Sequence, residues 1–269
     1  MVKPVAFDRV GHLVRIPVVA GDVACRFLLD SGIGLSVVAS DLAERLGLVF
    51  IGTSFTGQRM SGQKITAPLA HLPQLTIGGH VVENAVVGVF NLGPTDGEYG
   101  FDGILGLDLL RDVVVRVDPL TRSLLLQPDL PLLGGDIVVP LRVHHDGPSV
   151  TLFAWLRLPG GRVAEVEIDT GSGCLILDSR FMSDCGVGSD DVTEKLAGTD
   201  ETGHHYSRSF AATRGVVSFV DAPAVDQQDP RTMFQTIVHD GLVGSEFLDR
   251  FIHSFDVRRD RLVLSPLRP

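Results

Sequence analysis

Short apolar runs, broken by glycine, proline and aspartate, recur along this chain, and most of them read as strands. Val10 to Ala20 and Val23 to Leu29 flank Gly21-Asp22, which predicts a hairpin. The second run continues into Asp30-Ser31-Gly32. Runs of this kind suit strands buried on both faces, so Asp30 is held near the interior, where an unpaired charge is costly. Ile33 to Val38 predicts another strand. Ser40 or Asp41 is expected to cap a short helix, with Glu44 placed as in a capping box and Gly47 closing it. Ser54 to Ala67 predicts a hairpin around Met60-Ser61-Gly62-Gln63, and Leu107 to Asp112 a further helix. Asp221 to Arg231, rich in Asp, Gln and Pro, reads as an exposed loop.

The pattern occurs twice. A single Asp-Ser/Thr-Gly is expected by chance in roughly one chain of this length in ten, so alone it decides nothing. Here Val166-Glu167-Ile168-Asp169-Thr170-Gly171 repeats it 139 residues after Asp30. Gly103-Ile104-Leu105-Gly106 returns as Gly241-Leu242-Val243-Gly244, 138 residues later. Val117-Asp118 matches Phe255-Asp256, and Leu124-Leu125-Leu126 matches Leu262-Val263-Leu264. Ser40 to Gly47 parallels Asp178 to Gly186, and Val150 to Leu158 with Arg162 to Ile168 repeats the opening hairpin. A constant offset across so many landmarks indicates a tandem duplication. The stretch from Gln127 to Asp136, with Pro128, Pro131 and Gly134-Gly135, marks the boundary. It leaves units of residues 1–130 and 136–269.

A strand ending in Asp-Thr/Ser-Gly, a short helix, a hairpin, and then apolar-apolar-Gly resembles the aspartic peptidases. Each half is similar to one retropepsin-type subunit, and the pair to a small single-chain version of the two-lobed pepsin plan. Gly106-Leu107-Asp108-Leu109-Leu110-Arg111 and Val117-Asp118 look most like bacterial retropepsin-like proteins. The resemblance implies an all-β fold with few short helices and an endopeptidase acting on peptide or protein substrates. It implies a catalytic pair, Asp30 and Asp169, supported by Ser31, Gly32, Thr170, Gly171 and Ser172. The Ser31 and Thr170 hydroxyls would bond the opposite loop, and Gly106 and Gly244 would lie beneath the two loops. The hairpin at Met60, Ser61 and Gly62 occupies the place of the family's flap. Thr202 and Gly203 hold that place in the second half, where Tyr206 is the tyrosine the first hairpin lacks.

Two close carboxylates cannot both ionise and share one proton. One then takes a proton from a water while the other donates to the peptide carbonyl. The third residue after each Asp differs, Ile33 in one half and Ser172 in the other. A hydroxyl there favours the charged form, so Asp169 is expected to carry more of the negative charge. With both acids on one chain, activity is expected of the monomer.

A net charge of −10 and a pI near 5.3 argue against nucleic acid or an anionic membrane as partner. No apolar run reaches the length of a membrane span. The first residues lack a signal-peptide core and show no propeptide, which predicts a cytoplasmic protein, or a periplasmic or secreted one if a leader has been removed. Arginine far outnumbers lysine, as in GC-rich bacterial sources. Cys25, Cys174 and Cys185 read as free thiols. His144-His145 and His204-His205 lack zinc-site spacing and read as solvated, so no metal or other cofactor is expected. Two other functions compete: a catalytically weak or inactive peptide-binding module on the same fold, which Ile33 and the missing flap tyrosine favour, and a glycoside hydrolase, which needs no such internal symmetry.

Overall fold

The computed structural model describes residues 3–93, 100–199 and 205–267. The described residues are mostly β, with two short α-helices among them, Ser40–Arg45 and Ser245–Leu248. No helix among the described residues is long and apolar enough to cross a membrane.

An eight-stranded sheet is built from the first part of the chain. Its order is Asp8–Val10, Leu13–Ala20, Val23–Leu29, Gly103–Leu105, Val37–Ala39, His80–Phe90, Lys64–Ile77 and Val49–Gln58. Leu13–Ala20 also pairs with Lys64–Ile77 through Val19 and Thr76, which curls the sheet back on itself. The second part of the chain builds a ten-stranded sheet around Val163–Ile168, Gly241–Val243 and Leu175–Asp178. One local arrangement recurs in both. Val23–Leu29 runs parallel to Gly103–Leu105 with Leu28 beside Ile104, and Val163–Ile168 runs parallel to Gly241–Val243 with Glu167 beside Leu242. Each pair then takes a third strand antiparallel, Val37–Ala39 or Leu175–Asp178. The strands that lead to Asp30 and Asp169 are therefore interior strands, which is why Leu29, Leu105, Ile168 and Val243 are all buried.

A six-stranded sheet joins the two parts. Its order is Val5–Ala6, Ser123–Gln127, Val114–Asp118, Phe251–Asp256, Arg261–Pro266 and Ile137–Pro140. At its centre Val115 faces Phe255, Arg116 faces Ser254 and Val117 faces His253. Because residues 138 apart correspond, this register is reciprocal about the Arg116–Ser254 pair. One continuous apolar cluster runs from Val5 to Leu264 through both parts. Each large side chain buried in it contributes about 1.5–3 kcal/mol.

Several local expectations need correction. The Ser40–Arg45 helix is capped by Ala39 in extended conformation, with no side-chain cap. Ser40 begins the helix, and Asp41 lies in its first turn, where its charge meets the positive helix end. Gly47 does close the segment, at φ +59° with its N–H bonded to Glu44 O. Ile33 to Val38 is strand only from Val37. Leu107 to Asp112 forms successive turns, not a helix: Leu110 N bonds Leu107 O and Val113 N bonds Leu110 O. Leu107 and Leu110 are both fully buried there, so three-residue spacing satisfies the core without a continuous helix. Asp221 to Arg231 is not simply an exposed loop. Val225 is fully buried and Asp226–Gln228 pairs with Val216–Phe219. Its polar residues alternate with the buried ones, which composition alone conceals. Cys25 and Cys185 are buried, Cys174 is half-buried, and none is bonded to another.

Candidate active site

The two Asp loops meet. Asp30 N bonds Leu105 O and Asp169 N bonds Val243 O, both at 3.0 Å, so each acid leaves its strand at the same point. Gly32 N then donates to Asp30 Oδ1 at 2.8 Å, and Gly171 N to Asp169 Oδ1 at 2.8 Å. Each glycine lies against the other loop's acid. A Cβ on Gly32 would sit 2.5 Å from Asp169 Oδ1, and one on Gly171 would sit 2.5 Å from Asp30 Oδ2. No side chain can occupy either place.

Ser31 and Thr170 tie the loops together beneath the acids. Ser31 Oγ donates to Ile168 O at 2.7 Å and accepts from Thr170 N at 3.0 Å. Thr170 Oγ1 accepts from Ser31 N at 3.0 Å and donates to Leu29 O at 3.3 Å. Both side chains are buried, so these four bonds take the place of water.

Burial, then the charge of Asp169, then hydrogen bonding with its carboxyl raise the Asp30 carboxyl well above the ordinary carboxylate range, against the pull of the Gly32 N–H. The environment of Asp169 differs at one atom: Ser172 Oγ donates to its Oδ2 at 2.5 Å. Ile33 stands in the corresponding place beside Asp30.

The apolar-apolar-Gly segments brace both loops from below, by different means. A Cβ on Gly106 would lie 2.8 Å from Ile33 Cγ2, and one on Gly244 2.5 Å from Ser172 O. On the first side, Ser36 Oγ donates to Asp108 Oδ1 at 2.6 Å and accepts from Gly106 N at 2.9 Å. Asp108 is buried, and this raises its carboxyl to about 6. On the second side, Ser245 N and Glu246 N bond the carbonyls of Ser172 and Gly173 at 2.8 and 2.9 Å.

The Val49–Gln58 and Lys64–Ile77 hairpin reaches over a cleft of about 670 Å³ that contains Asp30 and Asp169. Gly62, at φ +86°, turns its tip, and Val238 N bonds Met60 O at 2.9 Å. The Met60 side chain packs on Ile176, Phe210, Met233, Ile237 and Leu242, all from the other part of the chain. Ser61 Oγ is buried with no hydrogen-bond partner. Thr202 and Gly203 lie outside the described residues. Tyr206 pairs with Gly198 in its own hairpin, under the Arg208 guanidinium, and does not line the cleft. His144 and His145 are exposed, as a solvated pair should be, and His144 also lines the cleft. His12, not singled out in the sequence, holds Gly171 O at 2.9 Å.

Glu167 was also missed. It is buried and lines the cleft, and burial followed by the charges of Asp169 and Asp30 raises its carboxyl well above the usual range. Its signal was an acid inside an apolar run, at the position where the first half has Leu28. A larger groove, about 1140 Å³, lies elsewhere among Val5, Val19 and Leu126 and includes no carboxylate. Among the described residues no group of three or more His, Cys, Asp or Glu is placed to hold a metal ion.

No match to a curated protein was found. Residues 16–109, the span that contains Asp30, the hairpin and Gly103-Ile104-Leu105-Gly106, match the aspartyl protease family.

Proposed function

We propose that this protein is an aspartic endopeptidase with two retropepsin-like lobes, residues 1–130 and 136–269, in a pepsin-like arrangement. The observation that carries the reading is the reciprocal contact of the loops, Gly32 against Asp169 and Gly171 against Asp30. The family match supports peptide hydrolysis for the first of these loops. Repetition of the strand pairings around both acids supports the second.

In this reading Asp30 carries the shared proton and Asp169, steadied by Ser172, is the carboxylate. Asp169 removes a proton from a water between the acids as its oxygen attacks the peptide carbonyl carbon. Asp30 gives its proton to the carbonyl oxygen, producing a neutral tetrahedral diol. Asp169 then gives its proton to the nitrogen while Asp30 takes one from a diol hydroxyl, so the C–N bond breaks, the acid and amine leave, and the dyad is restored. The pair titrates as a unit, and the two roles alternate over a turnover. The peptide lies extended in the cleft beneath the hairpin, as an added strand. A single chain supplies both acids, so the monomer suffices.

Digestion of a peptide library between about pH 3 and pH 8, with and without pepstatin, tests the proposal beside Asp169→Asn. Pepstatin-sensitive cleavage that the variant loses supports it. Cleavage unaffected by Asp169→Asn refutes it. Ile33, which gives Asp30 no hydroxyl, favours the second reading of a non-catalytic peptide-binding module. That reading requires peptide binding without turnover in the wild-type protein and in Asp30→Ala alike.

A further inference from the structure

Glu167 is a buried acid whose carboxyl holds its proton more tightly than usual. Its side chain is 8% exposed, and among the described residues the one basic side chain within 4 Å is His239, at 3.8 Å from Nε2 to Oε2, too far for a hydrogen bond. Burial lowers the proton affinity of His239, so that ring stays neutral near neutral pH and supplies no counter-charge. The charges that bear on Glu167, from Asp169 and Asp30, are both negative. A leucine, as at position 28, would bury here without the desolvation cost that a carboxyl incurs.

The neighbours of Glu167 define a shape. Phe153 stands directly across on the antiparallel strand and Leu242 beside it on the parallel one. All three line the cleft. Residues two apart on a strand share a face, so Glu167 points the same way as Asp169, at a distance along the strand of about 7 Å. That is one side chain's width from the reacting carbonyl. Apolar walls with an acid at the base suit a long side chain whose methylene stem packs and whose tip is charged.

From this geometry we infer that Glu167 determines specificity, forming the floor of a subsite for the lysine or arginine side chain of a substrate residue adjacent to the scissile bond. The inference rests on the peptidase reading and names its substrate class. An incoming ammonium or guanidinium favours release of the proton that burial holds on Glu167, and in a cleft emptied of water the resulting charge-assisted hydrogen bond is stronger than at the surface. Arg59 and Lys64 also line the cleft, but they belong to the hairpin and not to the strand that bears Glu167.

The test measures kcat/KM for paired quenched peptides that carry lysine or norleucine at each position flanking the scissile bond. Wild type, Glu167→Gln and Glu167→Leu are compared. At one flanking position lysine is expected to be favoured at least tenfold by wild type, with the preference lost in Glu167→Gln and reversed in Glu167→Leu. Cleavage by wild type with no lysine preference, or a preference that both variants keep, overturns the inference and leaves the peptidase reading standing. If wild type cleaves none of the peptides, the peptidase reading fails, and equilibrium binding of the same peptides decides the subsite. Lysine peptides held at least tenfold more tightly than norleucine peptides by wild type, but not by Glu167→Gln, support it. Equal binding, or none, overturns it.

Discussion

Ser172 Oγ donates to Asp169 Oδ2 at 2.5 Å, while Ile33 offers nothing comparable to Asp30. This one hydrogen bond makes a nearly symmetric pair of acids unequal, because it favours the ionised form of its acceptor. Ser172→Ala removes it. The acid limb of the kcat/KM profile is then expected to move to higher pH. A hydrogen bond to a charged group contributes about 1.5–3 kcal/mol, which corresponds to a shift of roughly one to two pH units. Ile33→Ser acts on the other acid, favours its ionisation and draws the alkaline limb downward. Profiles that do not move in either variant would remove the basis for assigning the resting charge to Asp169.

The four bonds between Ser31 and Thr170 and the opposite strands are buried, so losing one leaves a polar group without water. Thr170→Val keeps the volume and deletes the hydroxyl, orphaning Ser31 N–H and Leu29 O. The expected loss of stability is about 1–3 kcal/mol by urea unfolding, with most of it recovered in Thr170→Ser. A valine variant as stable as wild type would mean that the loops are held together elsewhere.

Much of this site was legible because chemistry confined to short stretches was repeated. Asp30-Ser31-Gly32 and Asp169-Thr170-Gly171 carry their own hydrogen-bonding pattern, so finding them twice located the pair. The same repeat marked Gly103 and Gly241 as equivalent positions, but that each leads a strand parallel to the one before its acid is seen only in the fold. What escaped notice depends on partners distant in sequence. Ser36 and Asp108 are 72 residues apart, and nothing in either segment reveals their bond. The Met60 tip rests on Val238, a contact that only the folded chain creates. The helix expected at Leu107 failed because its apolar spacing fits consecutive turns equally well. Glu167 was visible but was absorbed into the apolar run that surrounds it.

Gly171 has no room for a side chain without moving the opposite acid. A methyl group there would lie 2.5–2.7 Å from three atoms of the Asp30 carboxyl group, so the acids must separate. Gly171→Ala is expected to lower kcat by about a hundredfold or more, the scale of a 1 Å misplacement of reacting groups. Gly79, which has open space around its would-be Cβ, provides the control. Gly79→Ala should change stability by no more than about 0.5 kcal/mol and leave turnover intact. Equal effects at the two sites would contradict the contact between the loops.

Asp30 also links stability to pH. Its folded pKa lies above its unfolded value, so across that interval the native state keeps a proton that the unfolded chain has released. Its contribution to stability is complete below the unfolded pKa and is lost as pH rises through the folded one. Asparagine mimics the neutral form and does not titrate. Asp30→Asn is therefore expected to raise the melting temperature relative to wild type more at pH 7.5 than at pH 5, while abolishing turnover. A difference that is independent of pH would show that burial does not hold the Asp30 proton.

The hairpin tip presents a different kind of test, since its anchor must release for a peptide to enter. Val238 N–H holds Met60 O at 2.9 Å, and the Met60 side chain packs against Ile176, Phe210, Met233, Ile237 and Leu242. The side chain is half-buried, so Met60→Ala forfeits about 1–2 kcal/mol of the closed arrangement. That loss falls on the closed state alone, because the open tip makes none of these contacts. Amide exchange around the tip should quicken by roughly five- to thirtyfold. Because the tip must open before a peptide enters, peptide association should quicken by a comparable factor, while the melting temperature falls by only a few degrees. Faster exchange without faster association would show that opening of the hairpin does not limit entry. Unchanged exchange would mean that the Met60 contacts do not keep the tip closed.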